Sequence, residues 1–375
     1  MSRKSSNIYK RKDGRWEARI LTKDEYTKKS KYISLYGRSY TEVKNKLEEM
    51  NTSVNDKSKS IEPEKPILYR DIFNLWLQST RINIKESTYA IYLNLAEKHI
   101  FNEIGNTQLD MINTKLVQDY VKKLLSSGRM NGKGGLSNKT VILILTVLKA
   151  SFKYAKNNGY TVNCNFDLIS VKPKEKKIRV FSEAEKKALN ATLFENTDTY
   201  KLGVILSMYT GIRIGELCCL KWENINLEDK LLKVNKTMQR IKCTSKLEGS
   251  KTKVVITEPK SESSIREIPI PSYIVPVITK FKSNPKNYIL SGDAYKYIEP
   301  RTMERKFKKY LKDSNIEEIN FHALRHTFAT DCVEAGFEIK SLSEILGHSN
   351  INITLGKYVH SSLKLKRNNM EKLSI

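Results

Sequence analysis

Residues 321–330 read FHALRHTFAT, and their spacing governs how the C-terminal half of the chain is understood. His322, Arg325 and His326 stand at i, i+3 and i+4, so a helix here presents a guanidinium and imidazoles on one face. Imidazole is the side chain best suited to proton transfer near neutral pH. Four of the five histidines, His322, His326, His348 and His360, fall in the last 54 residues. No HExxH pair or Cys/His spacing accompanies them, which makes a metal centre a poor reading. Upstream, residues 209–222 read YTGIRIGELCCLKW, where a helix is expected after Gly211 with Arg213 and Glu216 three apart. Downstream, residues 346–360 read LGHSNINITLGKYVH and end a segment opened by Gly347 and His348 on Tyr358. Taken singly these are weak signals, because Arg/Glu pairs at this spacing are mostly solvated surface pairs and most tyrosines are packing aromatics.

The rest of the chain organises around that segment. Its 375 residues exceed one comfortable core and imply two or three domains. The first fifty read as a small sheet and a helix: SNIYKRK and RWEARILTK flank an Asp13-Gly14 hairpin signal, KYISLYG supplies a third strand, and Ser39 with Glu42 has capping-box spacing before TEVKNKLEEM. Residues 51–66, polar and containing Pro63 and Pro66, read as a linker. Helical periodicity then runs through residues 67–170, in four or so helices, with a glycine-rich basic loop at 126–138 carrying Arg129 and Lys133. That loop can follow a phosphate backbone, although a mobile connection is the plainer reading. After VKPKEKK, a second capping box at Ser182 and Glu185 opens a last domain over 178–375. This domain alternates helices with short strands around LLKV, KVVIT and REIPI. The fold class expected is therefore mostly α with small β-sheets, in several domains.

Charge and composition narrow the partners. With 67 Lys+Arg against 41 Asp+Glu, the formal net charge is +26, a field that attracts polyanions. Nucleic acid fits it better than a membrane, since no apolar run approaches the ~20 residues that span a bilayer and the first residues lack a signal-peptide core. A cytoplasmic protein is expected. The five cysteines, Cys164, Cys218, Cys219, Cys243 and Cys332, form no CxxC pair and read as packing residues in a reducing compartment.

Four segments in order, TGIRIGEL, PKSESSIREIPI, HALRHTFAT and LGHSNINITLGKY, together resemble the catalytic domain of the tyrosine recombinase or phage integrase family. The resemblance implies roles residue by residue. Arg213 and Arg325 match the two phosphate-clamping arginines, and Lys260 matches the lysine of the strand hairpin. His322 and His348 match the two further active-site positions, Tyr358 matches the residue joined to DNA, and Glu216 stands where an acidic residue supports the first arginine. Lys251 and Lys253 compete with Lys260 for the general-acid role, and His326 competes with His322. Lys260 is favoured by Arg266 and the IPI run that follow it, and His322 by lying three residues before the arginine. The helical segment resembles a core-binding domain. YKRKDGRWEARI with its helix resembles the arm-binding domain of phage and conjugative-transposon integrases, which makes Lys10, Arg11 and Lys12 DNA-contact candidates.

The residue types suit this chemistry in their own right. A phosphodiester under in-line attack concentrates charge on its non-bridging oxygens, and two planar guanidinium forks can bind it from opposite sides. A lysine can lower its pKa on burial and act as an acid, which an arginine cannot. No GxxxxGK[ST] loop or acidic metal cluster is present in the sequence, so no cofactor is expected. The implied partners are double-stranded DNA at attachment sites, three further copies of the chain in a synaptic tetramer, an excision factor and a host DNA-bending protein. The tail HSSLKLKRNNMEKLSI, residues 360–375, is too short and charged to form its own core and is expected either to dock on a neighbouring copy or to stay solvated. Rival readings are a Xer-like resolvase, a DNA-binding regulator without chemistry, and a topoisomerase-like enzyme.

Overall fold

The computed structural model describes residues 8–23, 30–58, 66–174, 179–243, 250–259, 262–358 and 370–371. The chain opens with an antiparallel sheet of β1 (Ile8–Lys10), β2 (Trp16–Lys23) and β3 (Ser30–Gly37), followed by α1 (Tyr40–Ser58). The hairpin signal forms: Arg11 and Arg15 pair across a turn in which Gly14 takes φ +84°, a left-handed conformation that a side chain would strain. Ser39 caps the helix start, its Oγ accepting from the Glu42 backbone amide at 3.1 Å. The helix runs to Ser58, into the stretch expected to be linker, because NTSVNDKS holds no glycine or proline to stop it.

A helical unit follows, built from α2 (Tyr69–Thr80), α3 (Glu86–Leu95), a π-helical stretch Ala96–Gly105, α4 (Thr114–Ser127) and α5 (Asn138–Asn157). Asn113 and Ser137 cap the last two by accepting from Leu116 and Thr140 backbone amides. Its core gathers Phe73, Trp76, Ile100, Val121, Ile144, Leu148 and Phe152. Tyr69 lies at the centre, fully buried, with its hydroxyl 2.7 Å from Ser151 Oγ so that neither hydroxyl is left unpaired.

The remaining unit has a core of its own. It comprises α6 (Glu183–Phe194), α7 (Thr199–Thr210), α8 (Ile214–Cys218), β4 (Ile225–Asn226), β5 (Leu231–Val234), β6 (Thr237–Lys242), β7 (Thr252–Thr257), β8 (Arg266–Pro269), α9 (Val275–Thr279), α10 (Pro300–Asp313), α11 (His322–Glu334), α12 (Ile339–Leu346) and α13 (Ile351–Tyr358). Ser182 and Glu185 form the capping box at the start of α6. The strands make two small antiparallel sheets, β4-β5-β8 and β6-β7. α7 is buried over most of its length, with Leu202, Val204, Ile205 and Leu206 all inaccessible, and α11 packs on it. Cys218, Cys219 and Cys332 are buried packing residues. The helical unit touches this one where α3 and the π-helical stretch meet β6-β7: Lys253 lies 2.7 Å from Glu86 on α3, and Lys242 pairs with Glu97 on the π-helical stretch. Among the described residues no helix is long and apolar enough to cross a membrane.

Because the helical core and the C-terminal core are separate clusters, damage to one should stay there. Phe152 is buried with its ring 5.0 Å from Tyr69 and 5.2 Å from Phe166. Phe152→Ala should cost about 3–5 kcal/mol. Urea unfolding should show the helical unit's transition displaced and the C-terminal unit's unmoved.

Candidate active site

The site is a cluster of guanidiniums organised by one buried carboxylate. Gly211 ends α7 in the left-handed region at φ +65°, where a Cβ would come within 2.5 Å of Phe328. The chain therefore turns sharply, and Arg213 becomes the residue preceding α8 rather than a member of that short helix. Glu216, 4% exposed, takes Arg213 Nη1 at 2.8 Å and the Arg213 backbone amide at 3.0 Å. Its oxygens also take Arg266 Nη1 at 3.1 Å and Nη2 at 2.9 Å. Burial pushes the Glu216 carboxyl up, but the Arg266 hydrogen bonds, the charge of Arg266 and that of Arg213 outweigh it and hold the group below the usual carboxylate range.

Arg325 lies deeper, 2% exposed, on α11. It donates to the Gly211 carbonyl at 2.8 Å and the Leu346 carbonyl at 2.6 Å, and its Nη2 lies 3.0 Å from His348 Nε2. A second left-handed glycine, Gly347 at φ +62°, ends α12 and turns its own carbonyl to Arg213 Nη2 at 3.2 Å. A Cβ there would press on the Arg266 side chain at 3.0 Å. Arg266 Nε binds the Ile345 carbonyl at 2.6 Å, so one turn between α12 and α13 serves three arginines. Burial, then the charge of Arg213, presses on Arg325 and lowers its pKa.

His348 Nδ1 lies 2.8 Å from Thr354 Oγ1 on α13, and its ring lies parallel to that of Tyr358, centroids 6.3 Å apart. Tyr358 is 6% exposed, and burial raises its pKa against the opposing pull of Arg325 and Arg213. Arg213, Glu216, Arg325, His348 and Tyr358 thus meet in one place. His322 stands at its rim, with its ring edge-on to His326 at 4.5 Å. The Tyr358 hydroxyl itself meets His326, the imidazole ranked second on spacing, Nδ1 to oxygen 2.9 Å. Arg266, used only as a spacing marker in the sequence, is the other missed residue; its REIPI setting looks like an ordinary strand, and only the fold turns it to Glu216.

The other candidates fall elsewhere. Lys260 and the tail from 359 onward, apart from residues 370–371, lie outside the described residues. Lys253 is engaged by Glu86. Arg129 bends back on its own loop, donating to the Gly135 carbonyl at 3.0 Å and the Lys133 carbonyl at 3.4 Å, while Lys133 is exposed. Lys10 and Lys12 are exposed beside Arg11, which pairs with buried Glu17 at 3.0 Å and lies over Tyr36.

Burial and neighbouring cations depress all three imidazoles below their ordinary 6.5, His322 and His326 to about 4 and His348 to about 3. Below 6.5 the unfolded chain therefore takes up protons that the folded chain refuses, so stability falls as pH drops. The fall should run from pH 6.5 down to about 4, where His322 and His326 begin to titrate in the folded state too. Urea midpoints measured across this window should shrink less in a His322→Gln, His348→Gln double variant than in the parent chain.

Comparison with known proteins finds relatives of this chain in sequence and in fold. The description "Phage integrase family" matches residues 179–364, and "Phage integrase, N-terminal SAM-like domain" matches residues 68–125. A XerC-like tyrosine recombinase of Caldanaerobacter subterraneus is 31% identical over 333 residues, covering 81% of this chain and 82% of the relative. The ICEBs1 integrase of Bacillus subtilis is 26% identical, covering 78% and 79% respectively. In fold, the chain resembles the Tn1549 transposon integrase solved with transposon right end DNA, at TM-score 0.64 and 21% identity over 82% of this chain and 100% of that one. It also resembles a lambda integrase tetramer bound to a Holliday junction, at TM-score 0.58 and 17% identity over 97% and 99%. With its arginines, histidines and tyrosine brought together and a relative above 30% identity matched over four fifths of its length, the chain belongs to the phage integrase family of tyrosine recombinases.

Proposed function

We propose that the chain is a site-specific integrase that cuts and rejoins duplex DNA through a 3′-phosphotyrosyl intermediate, integrating and excising a mobile element. The observation that carries this reading is the charge balance beside Tyr358: Arg213 and Arg266 both bind the carboxylate of Glu216, while Arg325 is held by the Gly211 and Leu346 carbonyls. Buried cations in excess are costly unless an anion completes them, and a scissile phosphate supplies that anion within reach of a tyrosine hydroxyl. Arg213 and Arg325 would bind its non-bridging oxygens, with His348 hydrogen-bonding alongside. The Tyr358 oxygen attacks phosphorus, the bond to the 5′ oxygen breaks, and Lys260 protonates that oxygen. The pairing of Lys253 with Glu86 favours Lys260 or Lys251 over it as the acid. The new ester keeps the phosphodiester energy, so a second 5′ hydroxyl can reverse the step without a nucleotide.

The N-terminal unit supports an integrase over a Xer-like resolvase. Its sheet exposes Tyr9, Tyr32 and Tyr36 beside Arg11, Arg15 and Arg19, a surface suited to arm-type DNA, while the helical unit and the C-terminal unit would clamp the core site. The relatives named integrase favour the same side. Working inside the cell, the chain would act as a tetramer of identical copies, assisted by an excision factor and a host DNA-bending protein.

Tyr358→Phe should leave gel-shift affinity for a core site nearly unchanged and abolish the covalent adduct on a nicked duplex; an adduct in that variant overturns the assignment. Arg213→Ala or Arg325→Ala should slow cleavage at least 100-fold. Neutralising Lys10, Arg11 and Lys12 together should instead flatten the salt dependence of arm-site binding, measured by gel shift from low to moderate salt, and spare cleavage of a short core site.

A further inference from the structure

His322 and His326 lie one turn apart on the same face of α11, yet they stand differently toward the nucleophile. The His326 ring is tilted at 48° to Tyr358 with centroids 5.6 Å apart, which aims Nδ1 at the hydroxyl oxygen 2.9 Å away. His322 is more exposed and meets the ring of His326 edge-on. Two restraints fix His326 in this role. Its place at i+1 from Arg325 ties it to a side chain only 2% exposed, and Tyr358 is itself buried on α13.

We propose that His326, rather than His322, is the imidazole that holds the Tyr358 hydroxyl for attack and receives its proton. The proposal rests on the recombinase reading above and adds which group activates the nucleophile. In the step, the Oη–H bond breaks and its proton passes to His326 Nδ1. The released electron pair forms the Oη–P bond, and the P–O5′ bond breaks with its pair going to the 5′ oxygen, which takes a proton from the lysine acid. In rejoining, His326 returns its proton to the tyrosine oxygen.

The surrounding charges make this transfer depend on substrate. Burial, Lys357 on α13 and Arg325 on α11 keep His326 neutral in the DNA-free site, so the imidazole offers an acceptor lone pair while the hydroxyl keeps its proton. A bound phosphate brings negative charge against those same cations and stabilises the imidazolium. The nucleophile is then armed only when a phosphate is present to be attacked.

The test uses the full chain and a nicked duplex built from the sequenced end of the encoding element. Wild type must form the covalent adduct and Tyr358→Phe must not; failure of either condition overturns the recombinase reading itself. Within that frame, His326→Leu should cleave at least 100-fold more slowly in single turnover with gel-shift affinity unchanged. His326→Asn puts an amide oxygen near the place of Nδ1, so it should hold the hydroxyl without accepting its proton and cleave at a rate between those of the leucine variant and wild type. Leucine within a few-fold of wild type, asparagine equal to leucine, or asparagine equal to wild type each overturns the proposal. If the leucine variant melts early, the asparagine variant decides alone: slowing of about 10-fold or more with binding intact supports the role, and a wild-type rate overturns it.

Discussion

Glu216 is the constraint on which the arrangement depends. Its two oxygens hold Arg213 by side chain and backbone and grip Arg266 through both terminal nitrogens. Without it, buried Arg266 and Arg325 and half-buried Arg213 would stand close together without this counter-charge, and their mutual repulsion would have to be met by packing. With it, one charge is cancelled and the geometry is fixed, but the balance stays positive. Among the described residues the site keeps an excess of positive charge, which an incoming anion would offset.

Backbone carbonyls do the rest of the positioning. Gly211 and Gly347 adopt conformations that only glycine takes easily, and each turns its carbonyl toward an arginine. A carbonyl orients a guanidinium without neutralising it, whereas a second carboxylate would hold the fork just as firmly and remove the attraction for phosphate. The choice of neutral acceptors therefore separates holding the arginines in place from cancelling their charge.

Much of the fold can be read from the chain because its signals are local. A capping box needs only Ser182 and Glu185 at the right spacing, the first hairpin needs only Asp13-Gly14, and the site motifs announce themselves by charged and imidazole residues on helix-forming segments. What escapes the reading depends on how elements cross. The spacing of His322, Arg325 and His326 places all three on one face of α11, but which imidazole meets Tyr358 is set by the angle at which α13 packs on α11, and no periodicity encodes that. Arg266 is hidden for the same reason: its contact with Glu216 joins residues fifty apart through a strand edge. The span of α1 and the short α8 differ from expectation because helix ends are decided by single residues rather than by pattern.

Thr354 and Tyr358 lie one turn apart on α13, and both are buried, while Ile351 and Leu355 on the same short helix are exposed. Thr354 braces His348, and Tyr358 carries the hydroxyl. A tilt of this helix moves both at once, so the brace on His348 and the position of the Tyr358 hydroxyl are linked. The eight-residue helix therefore couples the two contacts: a displacement that drew the Tyr358 hydroxyl from His326 would also draw Thr354 from His348.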